Sequence, residues 1–479
     1  MEAKNIEDIY TLSPTQQGML FHILSAPDSK MYFEQTLCTL HGTLNVSAFE
    51  QAWQQVVNRH PSLRTAFVWQ GLNQPVQIVH QQARLLIQQY DWCQLSTAEQ
   101  EAQLQSYLEA DQKSGFDLAQ PPLMRLALIQ TDANTYQFIW SICHLVLDGW
   151  STNIIMKEFF AFYKALCQDQ SLHLQPSRPY RDYIAWLKQQ DLSQAEVFWR
   201  KSLQGFTTST PLAADWRTDA YSNRHQDSGQ QQIQLSLVTT EALKSLAQQH
   251  HLTLNTLVQG IWALLLSYYS GEADVVYGTV VSGRPPTLPG VSSMVGLFIN
   301  TLPMRVLVSG EALLLSWLQE LQLQQLSMRR YEYTPLVQIQ NWSEVPSSMP
   351  LFESILVFET STASISGLPI ENLRIDNVRS LINSNYSLVL MVTLGAELSL
   401  NISYDLHCFK SIAIAKIMKI FELLINSILA EPNTQLGSLI NIINELESQE
   451  QTLNIKERRN FIINKLKTCQ PKPIKLSVD

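Results

Sequence analysis

The run Cys143-His144-Leu145-Val146-Leu147-Asp148-Gly149, followed by Trp150-Ser151, carries the residue types for proton chemistry in one short span. An imidazole changes charge near neutral pH and can accept a proton from a reacting group. A strand-like segment, Tyr136 to Ile142, leads into the run, and a helix-like segment, Ile154 to Leu166, leads out. Successive side chains of a strand point to opposite faces. If His144 faces a reaction channel, Cys143 therefore faces the packed interior, where cysteine behaves as a small hydrophobe. No separate base accompanies Cys143, which argues against a thiol nucleophile. A histidine alone would read as a satisfied core residue, but the strand–turn–helix setting favours a chemical role for His144.

Asp148 reads as a scaffold residue rather than an acid. A buried carboxylate without a partner costs several kcal/mol. The candidate partner is Arg284 in Val281-Ser282-Gly283-Arg284-Pro285, just after a predicted strand, although a surface loop would also explain this arginine. Gly149 either makes the turn or admits close backbone approach to a substrate, and its amide could help hold a developing oxyanion. Arg59, Arg64 and Asp182 read as fold-holding ion pairs. The pair His250-His251 lacks further ligands at metal-binding spacing, so no metal site is expected.

The elements that must position these residues come from a chain of 479 residues, 45% hydrophobic, with a mean hydropathy of -0.06. That is ordinary globular composition, and the length suggests two or three domains. The net charge of -9 argues against nucleic-acid binding, which needs a concentrated basic face. The six cysteines have neither metal-ligand nor redox spacing, which suits free thiols in a reducing cytoplasm. Met1 to Tyr10 lacks the basic start and apolar core of a secretion signal. The longest apolar stretch, near Ile261 to Leu266, is too short to span a bilayer, so no membrane partner is expected.

Residues 1–175 read as a first α/β unit, with a helix over Ser47 to Asn58 and strands over Pro121 to Gln130 and Tyr136 to Ser141. A polar, proline-bearing stretch from Gln168 to Pro179 reads as a linker. Residues 176–435 read as a second α/β unit. Its helix Thr253 to Ser270 is apolar on most faces and so buried. Its strands are Val275 to Val281, Ser354 to Phe358, Ser387 to Leu394 and Glu397 to Tyr404, the last two joined by a hairpin at Gly395-Ala396. Ile414 to Leu429 reads as a closing helix. Residues 436–479 read as an extension, basic and proline-broken from about Ile455, that forms a solvated tail or a linker.

The Cys143–Gly149 run resembles the His-His-x-x-x-Asp-Gly signature of nonribosomal peptide synthetase condensation domains, with cysteine in the first histidine position. Leu12 to His22 (LSPTQQGMLFH) resembles that family's first motif, Arg59 to Phe67 (RHPSLRTAF) its second, Tyr180 to Trp186 (YRDYIAW) its fourth and Met294 to Arg305 (MVGLFINTLPMR) its fifth. Looser matches at Tyr333 to Leu336 and Asn385 to Leu388 keep the order, and the resemblance covers roughly residues 8–435.

The resemblance implies an α/β fold of two chloramphenicol-acetyltransferase-like lobes set as a V-shaped pseudodimer around a central tunnel. His144 would sit at mid-tunnel, Asp148 would pair with Arg284, and Trp150, Ser282, Asn385 and Ser387 would line the passage. The implied reaction joins a carrier-bound acyl or aminoacyl thioester to a carrier-bound amine. The partners would be donor and acceptor peptidyl carrier proteins, in trans or in the same synthetase, whose phosphopantetheine arms enter from opposite mouths. No cofactor or metal would be bound by the chain itself, which would be monomeric and cytoplasmic. Met1 suits a free-standing protein, a module's start or an excised domain equally. Two other readings stay open: a free-standing acyltransferase of the same superfamily with a soluble alcohol or amine acceptor, and a docking module weakened by Cys143. Trp150-Ser151 in place of Ser-Trp argues against an epimerising relative, and cysteine in place of aspartate at the first motif position argues against a heterocyclising one.

Overall fold

Short β-branched and aromatic runs bounded by turn residues form the strands, and the computed structural model describes them over residues 5–212, 228–360, 373–449 and 452. In chain order they are β1 (Ile6–Thr11), β2 (Phe33–Gly42), β3 (Thr65–Val68), β4 (Val76–His80), β5 (Ile87–Asp91), β6 (Met124–Asp132) and β7 (Thr135–Cys143). There follow β8 (Ser228–Gln234), β9 (Asp274–Val281), β10 (Asn300–Leu307), β11 (Ser354–Thr360), β12 (Leu373–Ile382), β13 (Leu388–Leu394) and β14 (Leu398–Asp405). Among the described residues they pair as three sheets, in the orders β12-β2-β7-β6-β5, β10-β9-β11-β13-β14-β8 and β1-β4-β3.

The first sheet carries a helix pair on one face. In Val46–Arg59, capped by Asn45, the residues Phe49, Ala52, Trp53, Val56 and Val57 recur at helical spacing and are all buried. Trp53 stacks on Phe159 of the helix Gly149–Cys167 at 4.6 Å, and Phe49 meets Phe138 of β7 edge-on at 5.2 Å. This packing fixes the helix that begins beside His144. The outgoing helix starts at Gly149, five residues before its apolar periodicity becomes visible at Ile154. Asp148 is its N-cap and accepts from the Ser151 amide.

The second sheet is built on alternation. In β13 and β14 the residues Leu388, Leu390, Val392, Leu398, Leu400 and Ile402 point inward and are fully buried. The two strands form the hairpin read from the sequence, with Leu394 opposite Leu398. The helices Leu254–Ser270 and Ser411–Ala430 cover this sheet, and the first is buried on nearly every face, as its all-round apolar sequence requires.

Two boundaries read from the sequence move. β12 belongs by sequence to the second unit, yet it pairs antiparallel with β2 in the first sheet, and its Leu373 and Ile375 join the first core. Val295 and Leu297, also from the second unit, enter the same core. A strand's sequence records which face is apolar but not which neighbour it pairs with, so a crossover is invisible locally. The second correction concerns residues 436–449, read above as extension. They form a helix whose Leu436, Leu439 and Ile443 lie in the second core, because their apolar spacing finds a partner surface there. The basic stretch from Ile455 lies outside the described residues.

The buried helix at 436–449 predicts that Ile443→Ala should destabilise the protein by about 2–5 kcal/mol, the usual cost of truncating a core aliphatic side chain. Denaturant unfolding monitored by circular dichroism checks it. A midpoint equal to the parent's would show that the helix is not integral to the second core.

Candidate active site

β7 delivers the site. The amide of Cys143 donates to the Leu123 carbonyl at 3.0 Å, and that of His144 donates to the Tyr32 carbonyl at 2.8 Å. The backbone around His144 is thus held between β6 and β2. The Cys143 side chain lies in the first core at 3% exposure, and burial pushes its thiol up to about 12. A thiol so placed carries no useful fraction of thiolate near neutral pH. Leu145 and Leu147 are buried with it, whereas His144 keeps a 14% exposed imidazole.

Burial lowers the His144 pKa, against the opposing pull of Asp148, Glu359 and the Leu147 backbone. Its ring is therefore neutral at neutral pH and able to accept a proton. Two carboxyl groups stand around it. Glu34 Oε2, from β2, lies 3.7 Å from His144 Nδ1, and burial raises Glu34 to about 7. Glu359, near the end of β11, has its pKa raised first by enclosure and then by the charge of Glu34, with His144 acting in the opposite sense.

Gly149 is explained by Glu359. Its φ is not in the left-handed region, so the turn itself does not require glycine. A Cβ there would stand 2.7 Å from Glu359 Oε1. The missing side chain makes room for the carboxyl group.

Asp148 anchors a clasp between the two halves of the chain. Its side chain is fully buried and that of Arg284 is 4% exposed. Arg284 Nη2 donates to Asp148 Oδ1 at 3.2 Å and to Ser151 Oγ at 2.9 Å. Arg284 Nη1 donates to the carbonyls of Val291 (2.6 Å) and Met294 (2.9 Å), and the guanidinium lies over the Phe298 ring at 3.9 Å. The Phe298 amide donates to Asp148 Oδ2 at 2.9 Å. Ser151 Oγ completes the clasp, donating to the Gly296 carbonyl and lying 3.1 Å from the Gly296 amide. Gly283, before the arginine, has φ +59°, and a Cβ on it would strike the Phe298 carbonyl.

The remaining expected residues are less tightly gathered. Trp150 is half exposed and donates its Nε1–H to the Ser292 carbonyl at 3.0 Å. Ser282 is exposed on the loop before Arg284. Asn385 accepts from the Tyr32 hydroxyl at 2.7 Å, and its Nδ2 is 3.4 Å from His22 Nε2. Ser387 is part-buried and uses its carbonyl to receive the Asp405 amide. Sequence reasoning missed Glu34, Glu359 and Ser151. Glu359 closes the otherwise apolar run Ile355–Phe358, a local signal that was available, whereas Glu34 sits in the polar run Glu34-Gln35-Thr36 and carried none. Among the described residues no group of three or more His, Cys, Asp or Glu side chains is placed to hold a metal ion, and no helix is long and apolar enough to cross a membrane.

Known proteins share this outline. The family model for the Condensation domain matches residues 6–452. The chain is 43% identical to a linear gramicidin synthase polypeptide of Brevibacillus parabrevis over 470 residues, which are 97% of this chain and 9% of that polypeptide. It is 33% identical to surfactin synthase subunit 3 of Bacillus subtilis (strain 168) over 454 residues, 93% of this chain and 34% of that subunit. The chain thus spans less than a tenth of each gramicidin synthase polypeptide it matches. The crystal structure of the starter condensation domain of rhizomide synthetase superposes on 90% of this chain and 99% of its own, with a TM-score of 0.74 at 19% identity. Likeness at that identity speaks for the fold.

The clasp predicts that Arg284→Ala, which strands the Asp148 carboxylate, should cost about 3–5 kcal/mol of stability. Asp148→Asn should also lower the melting temperature. Two variants that melt with the parent but make no product would instead assign the pair to the chemistry.

The packing of Glu359 against Gly149 predicts a coupled pair. Gly149→Ala should fold, displace the carboxyl group and lower product formation. Combined with Glu359→Ala, it should add little to the loss from Glu359→Ala alone, because residues in contact are not additive. Losses that simply multiply in the double variant would disconnect the two residues.

Proposed function

The chain belongs to the condensation-domain family of nonribosomal peptide synthetases, an acyltransferase family, and on that premise we propose that it joins a donor thioester to an acceptor amine, each tethered to a carrier protein by a phosphopantetheine arm. The observation that carries this reading is the His144 imidazole, set between Glu34 of the first half of the chain and Glu359 of the second.

A thioester is already activated, so the chemical demand is small. The amine nitrogen attacks the carbonyl carbon, the C–N bond forms, the C–S bond breaks, and the carrier thiol leaves with a proton. That proton is the one the amine nitrogen loses: His144 accepts it and returns it to the departing thiolate, which restores the neutral imidazole. Negative charge on the carbonyl oxygen would be met by the positive end of the helix that starts at Gly149, although its Ser151 amide is already taken by Asp148. Bringing two tethered reactants end to end supplies much of the remaining acceleration. Asp148 and Arg284 hold the geometry, and Cys143 fills a core position that needs no second histidine.

In this reading the lobes are residues 1–175 and 176–435 with the β12 exchange, and the 436–449 helix joins the second. Trp150, Ser282, Asn385 and Ser387 stand along the substrate path. The protein acts as a monomer in the cytoplasm, binds no cofactor of its own, and meets its donor and acceptor carriers in trans or within one synthetase. A docking role is disfavoured because His144 keeps a part-exposed imidazole with Glu34 and Glu359 around it.

His144→Ala should fold normally and lose about 10²-fold or more in product formation, the scale for a positioned acid–base group. The assay charges candidate donor and acceptor carriers, mixes them with the protein and follows acyl transfer by intact mass. A folded His144→Ala protein with parental turnover would remove His144 from the mechanism. Transfer to a free amine or alcohol, with none to a loaded acceptor carrier, would favour the soluble-acceptor reading.

A further inference from the structure

A neutral imidazole works as a base through one nitrogen only. Which one is free depends on where the single N–H points, and that is set by the partner of the other nitrogen. At His144 the buried Nδ1 has no hydrogen-bond partner within ordinary reach. The Glu34 carboxyl faces it, with Oε2 at 3.7 Å, while the ring also interacts with the Leu147 backbone. Catalytic hydrogen bonds are often long before substrate arrives.

The backbone makes this approach a fixed feature. β2 pairs with β7 in a register that sets Phe33 opposite Cys143 and Glu34 opposite Ile142. The His144 amide continues that pairing by donating to the Tyr32 carbonyl. β12 closes the other side, with Ile382 opposite Glu34. Strand alternation brings Tyr32, Glu34, Ile142 and His144 to one face. Glu34 therefore sits on the central strand of three, paired on both sides near the end of the ladder, with its side chain directed to the face of His144.

We propose that Glu34 is the positioning residue of His144: its carboxylate accepts the Nδ1–H, which leaves Nε2 as the free acceptor for the amine proton. The inference rests on the reading of His144 as the base. When Nε2 takes the proton, the ring becomes an imidazolium held beside Glu34, with Glu359 and Asp148 the other carboxyl groups that act on it. Glu34 thus does its work without touching either substrate. Its elevated pKa, about 7, raises the competing arrangement, in which a protonated Glu34 donates to Nδ1 and Nε2 carries the hydrogen. That arrangement would spoil the base.

The tautomer decides between them and is readable in the unmodified protein. The protein is labelled with ¹⁵N-histidine, and His144 is assigned by comparison with His144→Gln. Above pH 8 the expected spectrum shows Nδ1 protonated and Nε2 bare. A protonated Nε2 overturns the proposal, whether or not carrier substrates are in hand, so its failure is separable from a failure of the proposed reaction. The second measurement is turnover with loaded carriers. Glu34→Leu should lower kcat by about 10²-fold, the scale of a misplaced catalytic group, with carrier KM unchanged. Glu34→Asp, which keeps the charge, should recover part of the loss. A folded Glu34→Leu protein with parental kcat also overturns the proposal.

Discussion

Asp148 is a carboxylate with no exposed surface, and a charge in that position is tolerated only when its oxygens are fully engaged. Its engagement ties together parts of the chain far apart in sequence. The Ser151 amide makes Asp148 the cap of the helix beside His144, and the Phe298 amide and Arg284 bring in the opposite half of the molecule. Arg284 in turn gathers the carbonyls of Val291 and Met294, while Tyr180 donates its hydroxyl to Leu297. The segment from Val291 to Phe298 is therefore strapped across the site by buried hydrogen bonds. Val295 and Leu297 then add apolar burial in the first core. Such a pair is a weak source of net stability but a strong source of specificity, because a misplaced lobe would leave a buried charge unpaired.

Around that anchor the chain keeps acidic groups where apolar residues would pack better. Glu34 and Glu359 both have raised pKa values, chiefly from burial; Glu359 acts on His144, and Glu34 acts on Glu359. Burial lowers the histidine and raises the carboxyl groups, so their proton affinities move toward one another. Groups with similar affinities can share a proton at little cost. This suits the proposed transfer of a proton from an amine. Gly149 belongs to the same arrangement, since any side chain on it would meet the Glu359 carboxyl group.

The strand exchange explains why the site stays put. β12 reaches from the second half of the chain into the first sheet and pairs with β2, the strand that carries Glu34 and fixes the His144 amide. The two halves of the chain are thus joined by a sheet edge and a salt-bridged clasp, both next to His144. The same chain that closes the second core sets the frame of the first.

Along the chain alone, the most strongly patterned elements were legible, and so was the motif that ends at Gly149. Alternation marked β13 and β14 and their hairpin, the all-round apolar pattern marked the buried helix Leu254–Ser270, and the ordered motifs from Leu12 to Arg305 pointed to the family and to His144. That Asp148 needs a counter-charge was legible from its motif, and the resemblance pointed to Arg284, which the folded chain supplies. The β12 crossover, the docking of the 436–449 helix and the placement of Glu34 and Glu359 around the imidazole emerge only when the chain is folded. Periodicity encodes which face of an element is apolar, and it is silent about which neighbour covers that face. A lone glutamate in a strand carries no mark of the histidine it will meet, since that meeting is made by register across strands more than 100 residues apart.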